Sequence, residues 1–163
     1  MPQNMQMTPE RLVGLGFRGW VAGYEYQDIS CWENVWNTYA VTLGAAPAKR
    51  TVTELSSWVR ALRQTTARRI EIYPAGCARF CRDECIAISV IAACQQEGCP
   101  ALRACAQALT GTDTIEPMLT EARAYAGCLL DAGQRLLPGL ICEINAASAV
   151  ASEFPTTTRS MPR

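Results

Sequence analysis

The chain has 163 residues, 49% of them apolar, and its 15 Lys and Arg balance 15 Asp and Glu. That length supports one domain with a real core, and zero net charge argues against bulk attraction to nucleic acid. Histidine is absent, and the single lysine, Lys49, lies in no GxxxxGK[ST] sequence; these facts exclude Ser-His-Asp and Cys-His catalysis, histidine-bearing zinc sites and a P-loop.

The start, MPQNMQMTPERLVG, lacks a basic stretch followed by an apolar one, so no signal peptide is expected. No uncharged apolar run reaches the ~18 residues of a membrane helix. A cytoplasmic location without membrane contact is the expectation, with the nine cysteines mostly reduced. The charge is split along the chain. Residues 45–82 carry Lys49, Arg50, Arg60, Arg63, Arg68, Arg69, Arg79 and Arg82 against Glu54 and Glu71. Residues 83–153 carry nine acids against Arg103, Arg123 and Arg135. Either the two regions face each other or solvent, or the basic segment 49–82 meets an acidic protein partner.

Residues 9–26 read as the first helix, with Thr8 as its cap and Pro9 and Glu10 in its first turn. Gly14, Gly16 and Gly19 spell GxGxxG. No strand precedes them and no acid follows at the dinucleotide-site spacing, so close helix packing at Gly16, Gly19 and Gly23 is the expectation. A second helix runs from a cap at Asp28 or Ser30 to Gly44. Trp32, Trp36 and Tyr39 share one face of it, and a buried aromatic stripe is expected. AAPAK reads as a loop. The helix after it turns Val52, Leu55, Val59 and Leu62 inward, with Arg60 and Arg63 outward. Ile70 and Ile72 alternate with charge, which predicts a short extended segment before Pro74. A central fourth helix is expected over 77–96, a fifth over 100–109, and a sixth from Asp113 or Thr114 to about Leu137. The sixth turns Ile115, Leu119, Ala122, Ala126, Leu129 and Leu136 inward. The fold class is therefore all-α, a compact bundle of five to six helices. Residues 1–7 and 145–163 read as tails around a domain at 8–144, with a last short helical turn after Leu137.

CARFCRDEC, residues 77–85, spaces Cys77, Cys81 and Cys85 four apart. On one helix they share a face with Ile88 and Ala92, while Arg79, Arg82 and Asp83 face away. Three readings stay open. The thiols can be small core residues. They can bind a soft metal: side chains at i and i+4 lie about 5–6 Å apart, close enough for two sulfurs to hold one ion at ~2.3 Å each. Cys94, Cys99 and Cys105 would then help complete a site for copper(I), zinc or an iron–sulfur cluster. Or they can do thiol redox work.

The Cys-x3-Cys spacing resembles that of cysteine-lined four-helix copper-storage bundles, which repeat it along several helices; here it spans 77–85. CQQEGCPALRAC, residues 94–105, resembles the cysteine motif of nitrogen-fixation molybdenum-donor proteins, with one cysteine fewer. Neither resemblance assigns a residue its role. The leading expectation is a small soluble, non-enzymatic helical protein binding a soft metal or cluster through Cys77, Cys81 and Cys85, with Cys94 or Cys99 completing the shell. A helical protein-interaction module and a thiol redox protein are the alternatives.

Overall fold

The computed structural model describes residues 6–138. The expected last helical turn, the tail at 145–163 and Cys142 lie outside the described residues. Six helices follow in order: α1 (Pro9–Glu25), α2 (Ile29–Leu43), α3 (Ala45–Thr65), α4 (Arg82–Cys94), α5 (Ala101–Thr110) and α6 (Glu116–Asp131). The fold is all-α, with no strand among the described residues.

Local chemistry sets most boundaries. Thr8 caps α1 by accepting from the Arg11 N–H, and Asp28 caps α2 through the Ser30 N–H. The AAPAK segment corrects the expected loop, for it is the first turn of α3. Gly44, at φ 87°, makes the whole reversal between α2 and α3, and Pro47 lies in the first turn, where its missing N–H costs little. α6 ends at Asp131 rather than near Leu137, because Gly133 at φ 78° reverses the chain there. Leu136 is buried all the same. The Gln95 side chain holds it in place, accepting from Leu136 N at 2.8 Å and donating to the Gln134 carbonyl at 2.9 Å.

α4 is the central element and packs against α1, α5 and α6. Every residue from Ile86 to Ala93 is buried. α3 lies along α6, where Trp58 stacks on Tyr125 with ring centroids 5.5 Å apart and its indole N–H points at the Met118 sulfur, 3.2 Å away. The expected inner faces of α3 and α6 are all buried. Between α1 and α2 the glycines act as the sequence suggests. A Cβ on Gly16 would overlap the Tyr39 hydroxyl, one on Gly19 a Val35 methyl, and one on Gly23 the Trp32 indole. The Tyr39 hydroxyl uses the room left by Gly16 to donate to or accept from the Tyr125 hydroxyl at 2.5 Å, and lies 2.9 Å from the Leu12 carbonyl.

Gly16→Ala forces Tyr39 off these partners, which costs more than the helix propensity alanine adds. The variant should lose about 1–3 kcal/mol of stability, measured by urea unfolding. Gly127→Ala is the control. Its Cβ would meet nothing within 4 Å, so it should stabilise α6 slightly.

Candidate functional site

The segment that carries the first three thiols is built differently from the expected helix. α4 begins at Arg82, not Cys77. Cys77 lies in a turn closed by its N–H on the Pro74 carbonyl, 3.1 Å. Cys81 is the cap residue, and Cys85 is in the first turn. The helical face expected for all three thiols therefore keeps only Cys85. Asp83, expected on the outer side, is 2% exposed, and its neighbour Glu84 is fully buried.

These two acids organise the end of α4. Glu84 takes the Cys81 N–H at 2.9 Å, the reciprocal bond of a capping box with cysteine in place of serine. It also pairs with Arg18 of α1, Nε to Oε2 at 2.5 Å, and accepts from Tyr73 N at 3.2 Å. Asp83 takes both its oxygens to Arg68, at 2.8 and 2.9 Å, and accepts from Glu71 N at 2.8 Å. The chain over 66–80 is strapped across α4 by these bonds. Glu71 and Tyr73 donate from alternate residues, the period of the expected extended segment, but the acceptors are carboxylates rather than a neighbouring strand. Arg18 completes the clamp by donating to the carbonyls of Cys77 and Arg79, at 2.8 and 2.6 Å, and lies over the Phe80 ring. The signal in the sequence was the cap-x-x-Glu spacing of Cys81 and Glu84; Arg18 and Arg68 carried no local signal.

Two of the three thiols donate to backbone carbonyls. Cys81 points its sulfur at the Glu71 carbonyl, 3.3 Å, and Cys85 at the Phe80 carbonyl, 3.8 Å. Burial pushes Cys81 up to about 11, and the Glu84 charge adds to that. Burial and Glu84 push Cys85 up too.

Cys94, Cys99 and Cys105 sit at the other end of α4. Nine residues separate Cys85 from Cys94, about 14 Å of helix rise, so the six candidate ligands form two groups and not one shell. Among the described residues no three His, Cys, Asp or Glu side chains are gathered to hold a metal ion. Cys94 ends α4, Cys99 is in the following turn and Cys105 is on α5; all are half-buried against the core. Burial pushes Cys94 up to about 11, opposed by the Arg123 charge, and the Cys99 charge raises both Cys94 and Cys105. Cys94 and Cys99 line one open cleft of about 710 Å³.

A second feature is a groove of about 260 Å³ between α1 and α2. Its walls include Leu15, Gly19, Ala22 and Val35, with Cys31 at one edge. α2 buries only Val35 and Tyr39 of its own residues. The aromatic stripe expected on it is partly corrected. Tyr39 is buried, Trp32 is half-buried between Trp20 and Tyr24, and Trp36 is 37% exposed. Ile29, two turns from Trp36, is 67% exposed. Of the basic segment, Arg68 is committed to Asp83, whereas Lys49, Arg50, Arg60, Arg63, Arg69, Arg79 and Arg82 are exposed.

Compared with protein families, with curated proteins and with solved structures, the chain matches none. No described helix is long and apolar enough to cross a membrane.

Arg18→Met leaves the Glu84 carboxylate buried without its cation and frees two strap carbonyls. It should cost about 3–5 kcal/mol, read by denaturant unfolding, while Arg82→Met on the exposed side stays within about 0.5 kcal/mol of the parent. The alkaline limb of stability should be steep. Cys81 and Cys94 keep their protons to about 11 in the fold but release them near the ordinary ~8.5 when unfolded. Stability is therefore whole below ~8.5 and falls as the pH climbs toward about 11. Burial raises Tyr39 and Tyr125 as well, which acts in the same direction from ~10 upward. Urea midpoints across that range should drop, and Cys94→Ala should lessen the drop.

Proposed function

We propose that the protein is a helical interaction module whose docking face is α2 with the groove it shares with α1. One observation carries the reading: α2 buries two of its own side chains, presents Ile29 and Trp36 on one outward stripe, and lines an apolar groove with α1 on another of its faces. Tryptophan supplies large contact area at little conformational cost and is enriched among the residues that dominate binding. An amphipathic helix is the partner that fits, with apolar side chains at i and i+7 against the groove. The exposed arginines of α3 and the 66–82 segment favour acidic residues at the rim of that partner, where charge speeds encounter more than it adds affinity. Cys81 and Cys85 then serve as packing and capping groups, the role their sulfur hydrogen bonds support.

A soft-metal reading keeps Cys94, Cys99 and Cys105, with Cys94 and Cys105 each near enough to feel the charge of Cys99. Copper, zinc or iron retained near one equivalent after anaerobic purification would favour it over a purely protein-binding role.

The test of the module is a paired charge substitution. Ile29→Glu with Trp36→Glu should leave the melting curve nearly unchanged, since both side chains are exposed, and should abolish binding of the partner or second copy that the parent protein holds. Binding that survives the double substitution, with the fold intact, overturns the assignment of α2.

A further inference from the structure

The cleft at the far end of α4 is independent of the α2 face. Cys94 closes the helix, and the chain then makes two tight turns: Gln95 N to the Ala92 carbonyl at 3.3 Å and Gln96 N to the Ala93 carbonyl at 3.1 Å. Gly98, at φ 64°, reverses it. Cys99 follows, and its carbonyl accepts from Leu102 N as α5 begins. α4 and α5 pack side by side, so the reversal returns Cys99 toward the helix that Cys94 ends. Both thiols line the same cleft of about 710 Å³, with Gln96, Arg103 and Arg123 around them. A Cβ on Gly98 would meet nothing within 4 Å, so the turn has room to shift. The Nε2 of Gln96 is buried without an acceptor at the edge of this turn. Arg103 is only loosely held, 3.6 Å from the exposed Glu116.

From this geometry we infer that Cys94 and Cys99 form a dithiol–disulfide site that exchanges with small disulfides bearing hydrogen-bond acceptors. The Cys99 thiol gives its proton to solvent and attacks one sulfur of the disulfide RSSR. That S–S bond breaks, and RS⁻ leaves and takes up a proton. Cys94, deprotonated in turn, attacks the Cys99 sulfur of the mixed disulfide, and the second RS⁻ leaves. Cys94 and Cys99 are oxidised by two electrons, and RSSR is reduced to two RSH. Burial pushes Cys94 up to about 11, so its attack follows the loss of that proton. Arg123 is the positioning residue, for its charge favours the Cys94 thiolate. The new bond would tie the 95–98 turn shut. Gln95, the first residue of that turn, holds the chain at Gln134 and Leu136. Oxidation would therefore be felt where the chain leaves α6.

The experiment treats the reduced full-length protein with glutathione disulfide, quenches by acid and alkylation, and maps the linked peptides by mass. A Cys94–Cys99 link is expected. Cys94→Ser, or Cys94→Ala should serine disturb the fold, should arrest at a glutathione adduct on Cys99, and Cys99→Ser should form no link. Arg123→Gln should slow closure and move its pH profile upward, with Arg123→Lys restoring both. A link from Cys99 to Cys105, an adduct on Cys77 formed as fast as the pair closes, or no reaction in the fold under conditions where the denatured protein reacts, each overturns the assignment. An Arg123→Gln profile identical to the parent overturns the role of that residue.

Discussion

Two adjacent carboxylates buried at the start of α4 hold this fold in register. Asp83 and Glu84 would be intolerable in a core without partners, because an uncompensated buried charge costs several kcal/mol. Each has an arginine from a different part of the chain, Arg18 from α1 and Arg68 from the segment after α3. Each also takes backbone N–H groups from the strap. Both acids lie in the first turn of a helix, where the dipole favours negative charge. Fifteen residues that form neither helix nor sheet are thus fixed by side-chain acceptors. Replacing the whole network with apolar residues need not destabilise the protein, whereas deleting one member leaves a bare charge or a set of unpaired amides. The network acts as a specificity device: it allows one position for the strap and one start for α4.

That constraint decides what else is free. With α1 drawn to α4 by Arg18, and α3 paired with α6 by the Trp58–Tyr125 stack, α2 is left on the outside. It packs against the glycine face of α1 and against α3, with Tyr39 reaching to Tyr125. The part of its circumference turned away from both helices stays free for other contacts. Ile29 and Trp36 on that circumference are where a monomer would ordinarily carry polar side chains. The candidate docking face thus follows from the architecture as well as from the residues it bears.

The helices were largely legible in the sequence because their signals are local: a cap, a proline in the first turn, a glycine at the end, and a period of apolar residues. The inner faces of α3 and α6 and the glycine contacts of α1 were readable on those grounds. The failures share a cause. Cys77, Cys81 and Cys85 fit a helical spacing, yet Glu84 caps the chain at Cys81, so the spacing upstream has no helix beneath it. Asp83 was placed outward because it falls opposite the cysteines on the expected helix; its burial depends on Arg68, fifteen residues earlier in the chain, and no periodicity reports such a partner. Trp36 was placed inward because it shares a helical face with Trp32 and Tyr39, yet it is 37% exposed while Tyr39 is fully buried. AAPAK has loop composition but follows a glycine whose conformation makes the reversal alone.

The ends of α4 differ in a way that bears on its cysteines. At its start Cys81 and Cys85 are held by hydrogen bonds to carbonyls and shadowed by Glu84, whose charge opposes a thiolate. At its end the helix dipole is also unfavourable to a thiolate, but the neighbouring charge is Arg123 and the space is open. Reactivity at a cysteine needs access and a stabilising charge together. Cys94 has both, although the first group has the more eye-catching spacing. The chemistry of CARFCRDEC therefore belongs to its two acids. The thiol chemistry we propose belongs to the turn between α4 and α5.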